Sequence, residues 1–426
     1  MRSTRKVVIT GVGLITPLSI KTEKSWEKII NGESGIKSIP STLFPLDDLP
    51  CKIAGYIPDK KNDSENGFSA EDWLSSKEIK SMDRFIQLAM VATKQAVEDS
   101  CYTPDTYDKK IRSGVLVGSG IGGLISIECN SHIIVDRGPR RVSPFFIPSS
   151  LINLTSGHIS IKYGYKGVNF SIVSACATGA HCIGEAARII ACNDADVMIA
   201  GGTEAAISYV GFGGFTAAKA LSTNYNHVPT QASRPWDKGR DGFVMGEGAG
   251  IVILEEYEHA KARNAKIYGE IIGYGLSSDA YHITAPDETG DGAYRAMKMA
   301  LDKAGINAAE IDYINAHGTS TPIGDMVELK AMRNIYKNQD YRPIISSTKS
   351  SIGHLLGASG SVEAIFSLLS MRDNIIPPTL NLNDPEENTL DFDLCPNVAK
   401  KAKLNYVMSN SFGFGGTNSS LIFKKI

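Results

Sequence analysis

No C-x-x-C pair occurs in the chain, and no His/Cys cluster has the spacing of a structural zinc site. Seven cysteines in 426 residues are too sparse for a disulfide framework. They point to a reducing cytoplasm or organelle interior. No apolar run approaches the ~20 residues that span a bilayer. Charge of one sign is missing as well: 44 Lys and Arg against 46 Asp and Glu leave a formal net charge of -2. No global field therefore draws nucleic acid or acidic lipid, and an anionic partner needs a local basic patch. The N-terminus imitates a secretory leader, with Arg2, Arg5 and Lys6 ahead of "VVITGVGLITPL", but "SIKTEKSW" follows and no small-residue cleavage site appears. "KVVITGV" reads better as a β-branched strand ending in a Gly turn.

What is present is an ordinary globular composition, 42% apolar and 21% charged. The length is generous for one core and suggests two domains, or one domain built twice. Short β-branched runs such as "SGVLVGSG", "NFSIVSA", "DADVMIAGG", "GAGIVILEE", "DYINAHG", "PIISST" and "NYVMSNSFG" alternate with helix-like segments. The helices are expected over Asp83–Ser100, Gly179–Ala191, Gly290–Ala304, Gly324–Tyr336 and Gly360–Arg372. This alternation argues for α/β layers. Four blocks recur in the same order. "KVVITGVGL" matches "IYGEIIGYGLS", and "SGVLVGSGIGG" matches "DYINAHGTSTPIGD". "NFSIVSACATGAHCIGEAARII" matches "PIISSTKSSIGHLLGASGSVEAIFSLL", and "DADVMIAGGTE" matches "LNYVMSNSFGFGG". The halves are expected as 1–260 and 261–426, divided in "EEYEHAKARNAK". Packed together, they would bring corresponding strand ends to one shared site. Pro40 to Lys77, rich in Pro, Asp and Ser, reads as an excursion capping the surface.

Cys176 falls where the strand-like "NFSIVSA" meets the helix-like "ATGAHCIGEAARII". At a helix N-terminus, the dipole and free N–H groups lower a thiol pKa and can bind an oxyanion. A buried structural cysteine is the other reading. Cys182 and Cys192 are read as packing. His317, in "NAHGTSTPIGD", ends a strand, where ligand sites gather in α/β sheets. Thr319, Ser320 and Thr321 follow it and can bond a polar amide chain. "SSTKSSIGHLLGASGSVEA" carries Lys349, His354 and Glu363, and Glu363 could pair with Lys349 or a cation. "SNSFGFGGTN" places Phe412 and Phe414 among glycines, as a gate or a backbone oxyanion donor. Each stretch also has a bland reading, as a solvated turn, a surface helix end or an aromatic plug. "GSGIGG", Gly118 to Gly123, matches a dinucleotide fingerprint only formally, because no acidic residue closes it at a suitable strand end. Taken together, one thiol and two histidines at Gly-rich strand ends suit covalent acyl chemistry: a thioester on Cys, and imidazole donors for an enolate oxygen.

These motifs, with "RKVVITGVGLITP" at the start and "GGTNSSLIFKKI" at the end, resemble the β-ketoacyl-acyl-carrier-protein synthases over essentially the whole chain. The resemblance is greatest to synthase II, the condensing enzyme of type II fatty acid synthesis. It implies a thiolase-like α/β fold, two similar halves in a five-layer αβαβα sandwich, and a homodimer. It implies decarboxylative condensation of malonyl-carrier with an acyl group on Cys176, with His317 and His354 completing a Cys-His-His triad. Cys176 and Phe414 would supply oxyanion N–H groups, and Lys349 and Glu363 electrostatic support. Thr319, Thr321, Asp279 and Thr284 would contact the phosphopantetheine arm, which arrives on the carrier. Ile121 and Phe412 would line the acyl pocket. A monovalent cation would sit on Asn315, Glu363, Ser409 and Asn410, with no other cofactor. An acidic acyl carrier protein would dock on Arg140, Arg141, Lys219, Lys77 and Lys80; Ser81 stands where a further basic residue is expected, and Asp47–Asn66 departs from the pattern. A synthase I or a free-standing polyketide ketosynthase shares the triad. Thiolases use a second cysteine, synthase III replaces one histidine with asparagine, and a non-catalytic chain-length partner lacks the cysteine.

Overall fold

The computed structural model describes residues 5–339, 341–389 and 391–426; Arg2 lies outside them. The first half contributes strands β1 (Val7–Ile15), β2 (Ser113–Gly118), β3 (Asn169–Phe170), β4 (Val197–Glu204) and β5 (Gly248–Glu256). The second contributes β6 (Gly269–Ser278), β7 (Tyr313–Asn315), β8 (Ile344–Ser346), β9 (Tyr406–Gly413) and β10 (Thr417–Lys424). Among the described residues these run β8-β7-β9-β10-β6-β1-β5-β4-β2-β3. Within the sheet, among the described residues, the halves join where Val8 and Ile9 pair with Glu270 and Gly269. Read outward from that join, the order is the same on both sides. In each half the three strands far from the join are parallel, and the remaining ladders are antiparallel.

Seven helices position the chemistry: α1 (Arg84–Ser100), α2 (Leu124–Arg137), α3 (Asn153–Tyr163), α4 (Thr178–Ala191), α5 (Asp291–Ala304), α6 (Gly324–Ile335) and α7 (Ser359–Asp373). α1 and α3 cover the outer face of the first half-sheet, and α5, backed by α6, covers that of the second. α4 and α7 pack on each other between the two. The result is the five-layer αβαβα sandwich. Helices on both faces explain why β1 and β2 are buried along their whole length and read as continuous runs rather than alternating ones. α1 begins one residue later than the pattern suggests, because the Asp83 carboxylate caps it by accepting from Phe85 N.

α4 and α7 touch through their first turns, and this explains the small residues there. A Cβ on Gly179 would lie 2.7 Å from Ser361 N, and one on Gly360 would lie 2.7 Å from Ala180 N. Backbone therefore rests on backbone at the start of both helices.

Three elements differ from expectation. "NFSIVSA" pairs only at Asn169 and Phe170, because the chain beyond leaves the ladder to reach Cys176. β10 has no counterpart among the expected strands, since its polar start "TNSS" hides a buried strand. The 40–77 segment is more than a cap: Leu49, Cys51, Ile53 and Ala54 are buried with Phe212, Leu221 and Phe243, and Gly55 N donates to Met245 O at 2.9 Å. Among the described residues no helix is long and apolar enough to cross a membrane.

Candidate active site

Cys176 occupies a single turn, Ala175–Ala177, immediately before α4. Ala175 holds φ +48, in the left-handed region that a side chain disfavours, so the chain turns sharply to present the sulfur. His317 lies two residues past β7, and His354 follows Gly353 at φ +75. The structure brings all three together. Cys176 Sγ lies 3.0 Å from His354 Nε2. The two imidazole rings stand 5.4 Å apart and nearly perpendicular. One ligand-type atom from each residue lies within 4.8 Å of the others. All three side chains are buried.

Each histidine is held from behind. Backbone N–H groups of His317 and Gly318 donate to the Glu328 carboxylate at 2.8 and 2.7 Å. His354 N donates to Val244 O at 2.7 Å. His354 Nδ1 lies 2.9 Å from Ser359 Oγ, at the start of α7. With that hydroxyl as donor, the ring proton sits on Nε2 and faces the sulfur.

Burial, reinforced by Lys349, holds both histidines well below their ordinary value, so they are neutral. Burial also pushes the Cys176 thiol up to about 11, opposed by the Phe414 N–H and by Lys349. The expected lowering by the helix terminus is therefore outweighed in the resting site. Lys349 pairs with Glu363 behind the histidines. Burial raises Glu363 and Glu328 to about 7 in spite of Lys349.

The triad opens into a cavity of about 580 Å³. Thr319, Thr321, Asp279, Thr284, Ile121, Phe412, Phe414 and Lys219 all line it. Thr319 and Thr321 share a hydroxyl contact of 3.0 Å. Asp279 accepts from Asn418 Nδ2 at 2.6 Å. The Phe412 ring lies 5.9 Å from His317. Lys349 and Glu363 do not line the cavity. Lys77 and Lys80 are exposed on the short helix Ser76–Ser81, and Arg140 and Arg141 on the turn Pro139–Arg141. Neither pair forms an ion pair among the described residues. Glu328, Ser359 and Asn418 were not singled out from sequence. An acidic residue on the buried face of α6 was the available signal for Glu328.

For a monovalent cation the donor chemistry fits. Asn315 Oδ1, Ser409 Oγ and Glu363 Oε2 are buried without a hydrogen-bond partner. Asn315 and Ser409 are directly paired on adjacent strands. Asn410 is less suited, since its Oδ1 already accepts from Ser420 Oγ at 2.8 Å.

The chain belongs to the β-ketoacyl synthase family. The pattern described as "Beta-ketoacyl synthase, N-terminal domain" matches residues 4–260, and the corresponding C-terminal domain matches 268–383. A 3-oxoacyl-[acyl-carrier-protein] synthase 2 of Rhizobium meliloti is 55% identical, over 99% of both chains. A mitochondrial 3-oxoacyl-[acyl-carrier-protein] synthase of Arabidopsis thaliana is 46% identical, over 100% of this chain and 94% of its own. Among solved structures, a β-ketoacyl synthase from Burkholderia phymatum superposes with a TM-score of 0.89 at 36% identity, covering 99% of this chain and 100% of that one. A type II polyketide ketosynthase in complex with its acyl-carrier protein, bound to a hexaketide, superposes at 0.88 with 28% identity, over 99% of both chains.

Proposed function

We propose that this chain is the condensing enzyme of type II fatty acid synthesis, a 3-oxoacyl-[acyl-carrier-protein] synthase of the second type. One observation carries the reading: a buried thiol 3.0 Å from a neutral imidazole, with a second neutral imidazole beside it, all three lining one cavity. Cys176 attacks the thioester carbonyl of acyl-carrier. The acyl group moves to sulfur, and the carrier leaves with its thiol. Malonyl-carrier then enters, and the imidazole Nε2–H groups hold its thioester oxygen. CO2 departs, and the electron pair it leaves forms an enolate. The new carbanion attacks the acyl carbonyl on Cys176, whose oxygen the Cys176 and Phe414 N–H groups receive. The sulfur leaves, and a 3-oxoacyl-carrier two carbons longer is released. Loss of CO2 drives the step, so no strong base is needed. Relatives at 46–55% identity named for this activity favour it over a polyketide ketosynthase. The test is mass spectrometry of wild-type reactions. Acyl mass on the intact enzyme, then a two-carbon-longer 3-oxoacyl-carrier on adding malonyl-carrier, is expected; product without acyl-enzyme would refute the scheme.

A monovalent cation on Asn315, Ser409 and Glu363 would supply fixed positive charge behind the site and take part in no bond change. The phosphopantetheine arm would thread past Thr319, Thr321, Asp279 and Thr284. The acidic carrier would rest on Lys77, Lys80, Arg140, Arg141 and Lys219. Arg140→Glu with Arg141→Glu raises the apparent KM for carrier substrates severalfold at low ionic strength, and the effect shrinks as salt screens it. An unchanged KM at low salt would remove this face from the docking surface.

The outer edge of β3 carries no neighbouring strand among the described residues. Phe170 on the strand and Val173 just past it are exposed, and on α3, which packs against β3, Ile161 is 82% exposed. An open strand edge with large apolar side chains exposed on it and on the neighbouring helix suits a second copy pairing antiparallel with itself. Sedimentation at twice 45.8 kDa is the expected result, and a monomer at micromolar concentration would exclude the dimer. The bacterial cytosol, or an organelle interior in a eukaryote, is the compartment where such a carrier is met.

A further inference from the structure

Among the buried acids that the mechanism leaves unused is Glu204. Glu204 ends β4, and its carboxylate lies among four donors. Oε1 accepts from Ser119 Oγ at 2.7 Å and Ile121 N at 3.3 Å. Oε2 accepts from Gly120 N at 2.8 Å and Gly357 N at 2.9 Å. Three donors belong to the turn after β2, in the first half. The fourth belongs to the loop after His354, in the second. Ser119 Oγ also accepts from Gly122 N at 3.0 Å, closing the first turn on itself. No ion pair reaches Glu204 among the described residues, and burial raises its carboxyl above the usual range.

Around this carboxylate the two loops are in backbone contact. A Cβ on Gly357 would come within 2.2 Å of Gly120 N, and one on Gly120 within 2.7 Å of Glu204 Oε2. The neighbours of the tied groups face the cavity: Ile121 from one loop, Leu356 from the other, with Cys176 beside them. Leu356 is held at φ +47, a conformation that its neighbours must impose. Glu204 thus joins the two loops that contribute these walls.

We propose that Glu204 is a positioning residue for acyl-chain selection: by tying the Gly120–Ile121 turn to Gly357, it sets the spacing of Ile121 and Leu356 across the cavity beside Cys176. The inference rests on the acyl-transfer reading above. A glutamine has the same shape, but one of its two acceptor oxygens becomes an NH2 group. Two of the four donors then face a donor, and the loops must part to relieve them.

The experiment measures acylation of Cys176 by palmitoyl- and butyryl-carrier in the full-length enzyme. Glu204→Gln shifts the ratio of the two kcat/KM values about tenfold, the scale of one lost buried hydrogen bond. In an Ile121→Ala background, Glu204→Gln adds little further shift, because its effect travels through that side chain. An unchanged ratio, an equal loss with both chains, or a fully additive shift in the double variant would overturn the proposal. If Glu204→Gln does not fold, Ser119→Ala decides. It removes one donor and is expected to move the ratio the same way by less; no movement counts against the proposal. A wild-type enzyme that accepts neither chain would instead sink the acyl-transfer reading.

Discussion

Cys176→Ala folds as the wild type does and takes up no acyl mass from any acyl-carrier. The substitution removes a sulfur already bordering a cavity, so it costs about 1 kcal/mol or less of stability. It also removes the only thiol that faces both histidines among the described residues. Cys182, six residues on, is fully buried against Gly118, and burial pushes its thiol up to about 12. It does not line the cavity and cannot substitute. Condensation therefore falls to background. Intact-mass measurement after incubation with acyl-carrier checks this. Acyl label on any other cysteine of the variant would withdraw the nucleophile from Cys176.

His354→Ala is the second large effect. The imidazole approaches the sulfur through Nε2 and is fixed through Nδ1, so its loss removes an aligned donor and leaves space. CO2 release from malonyl-carrier should fall by on the order of 10²–10⁴-fold, the usual weight of one positioned proton donor. Release at the wild-type rate would strip His354 of that role. The wild-type rate carries a second sign. Both histidines are neutral because burial and Lys349 depress them below 6.5. Charging of the histidines then adds no step from pH 6.5 upward through neutrality and lowers the rate only on the acid side, while Glu328 and Glu363, raised to about 7, are the groups that titrate near neutrality. A step centred on the ordinary histidine value would contradict the burial that sets it.

Much of this site was legible in the sequence because its parts stand among glycines in the segments that follow short strands. His317 follows a short apolar strand, Cys176 precedes a helix-like run and His354 follows a glycine, and the doubled order of blocks indicated that the halves would share a site. What stayed hidden depends on packing. Nothing in "VSACATG" shows that burial would override the helix terminus and raise the thiol to about 11. Glu204 and Glu328 look like ordinary strand-end and helix acids until the fold surrounds them with N–H groups. The polar start of β10 conceals a strand that is buried except at its two ends, and Ser420 Oγ donates to Asn410 Oδ1 inside the sheet.

The contact of Gly179 with Ser361 and of Gly360 with Ala180 has a wider consequence. The distance from sulfur to imidazole is referenced to main-chain atoms in hard contact. The lining of the cavity, by contrast, is made of side chains such as Ile121 and Leu356. Those walls can be recut for a longer, shorter or branched tail while the reacting atoms keep their places. One scaffold can in this way serve condensations that differ in cargo but not in chemistry.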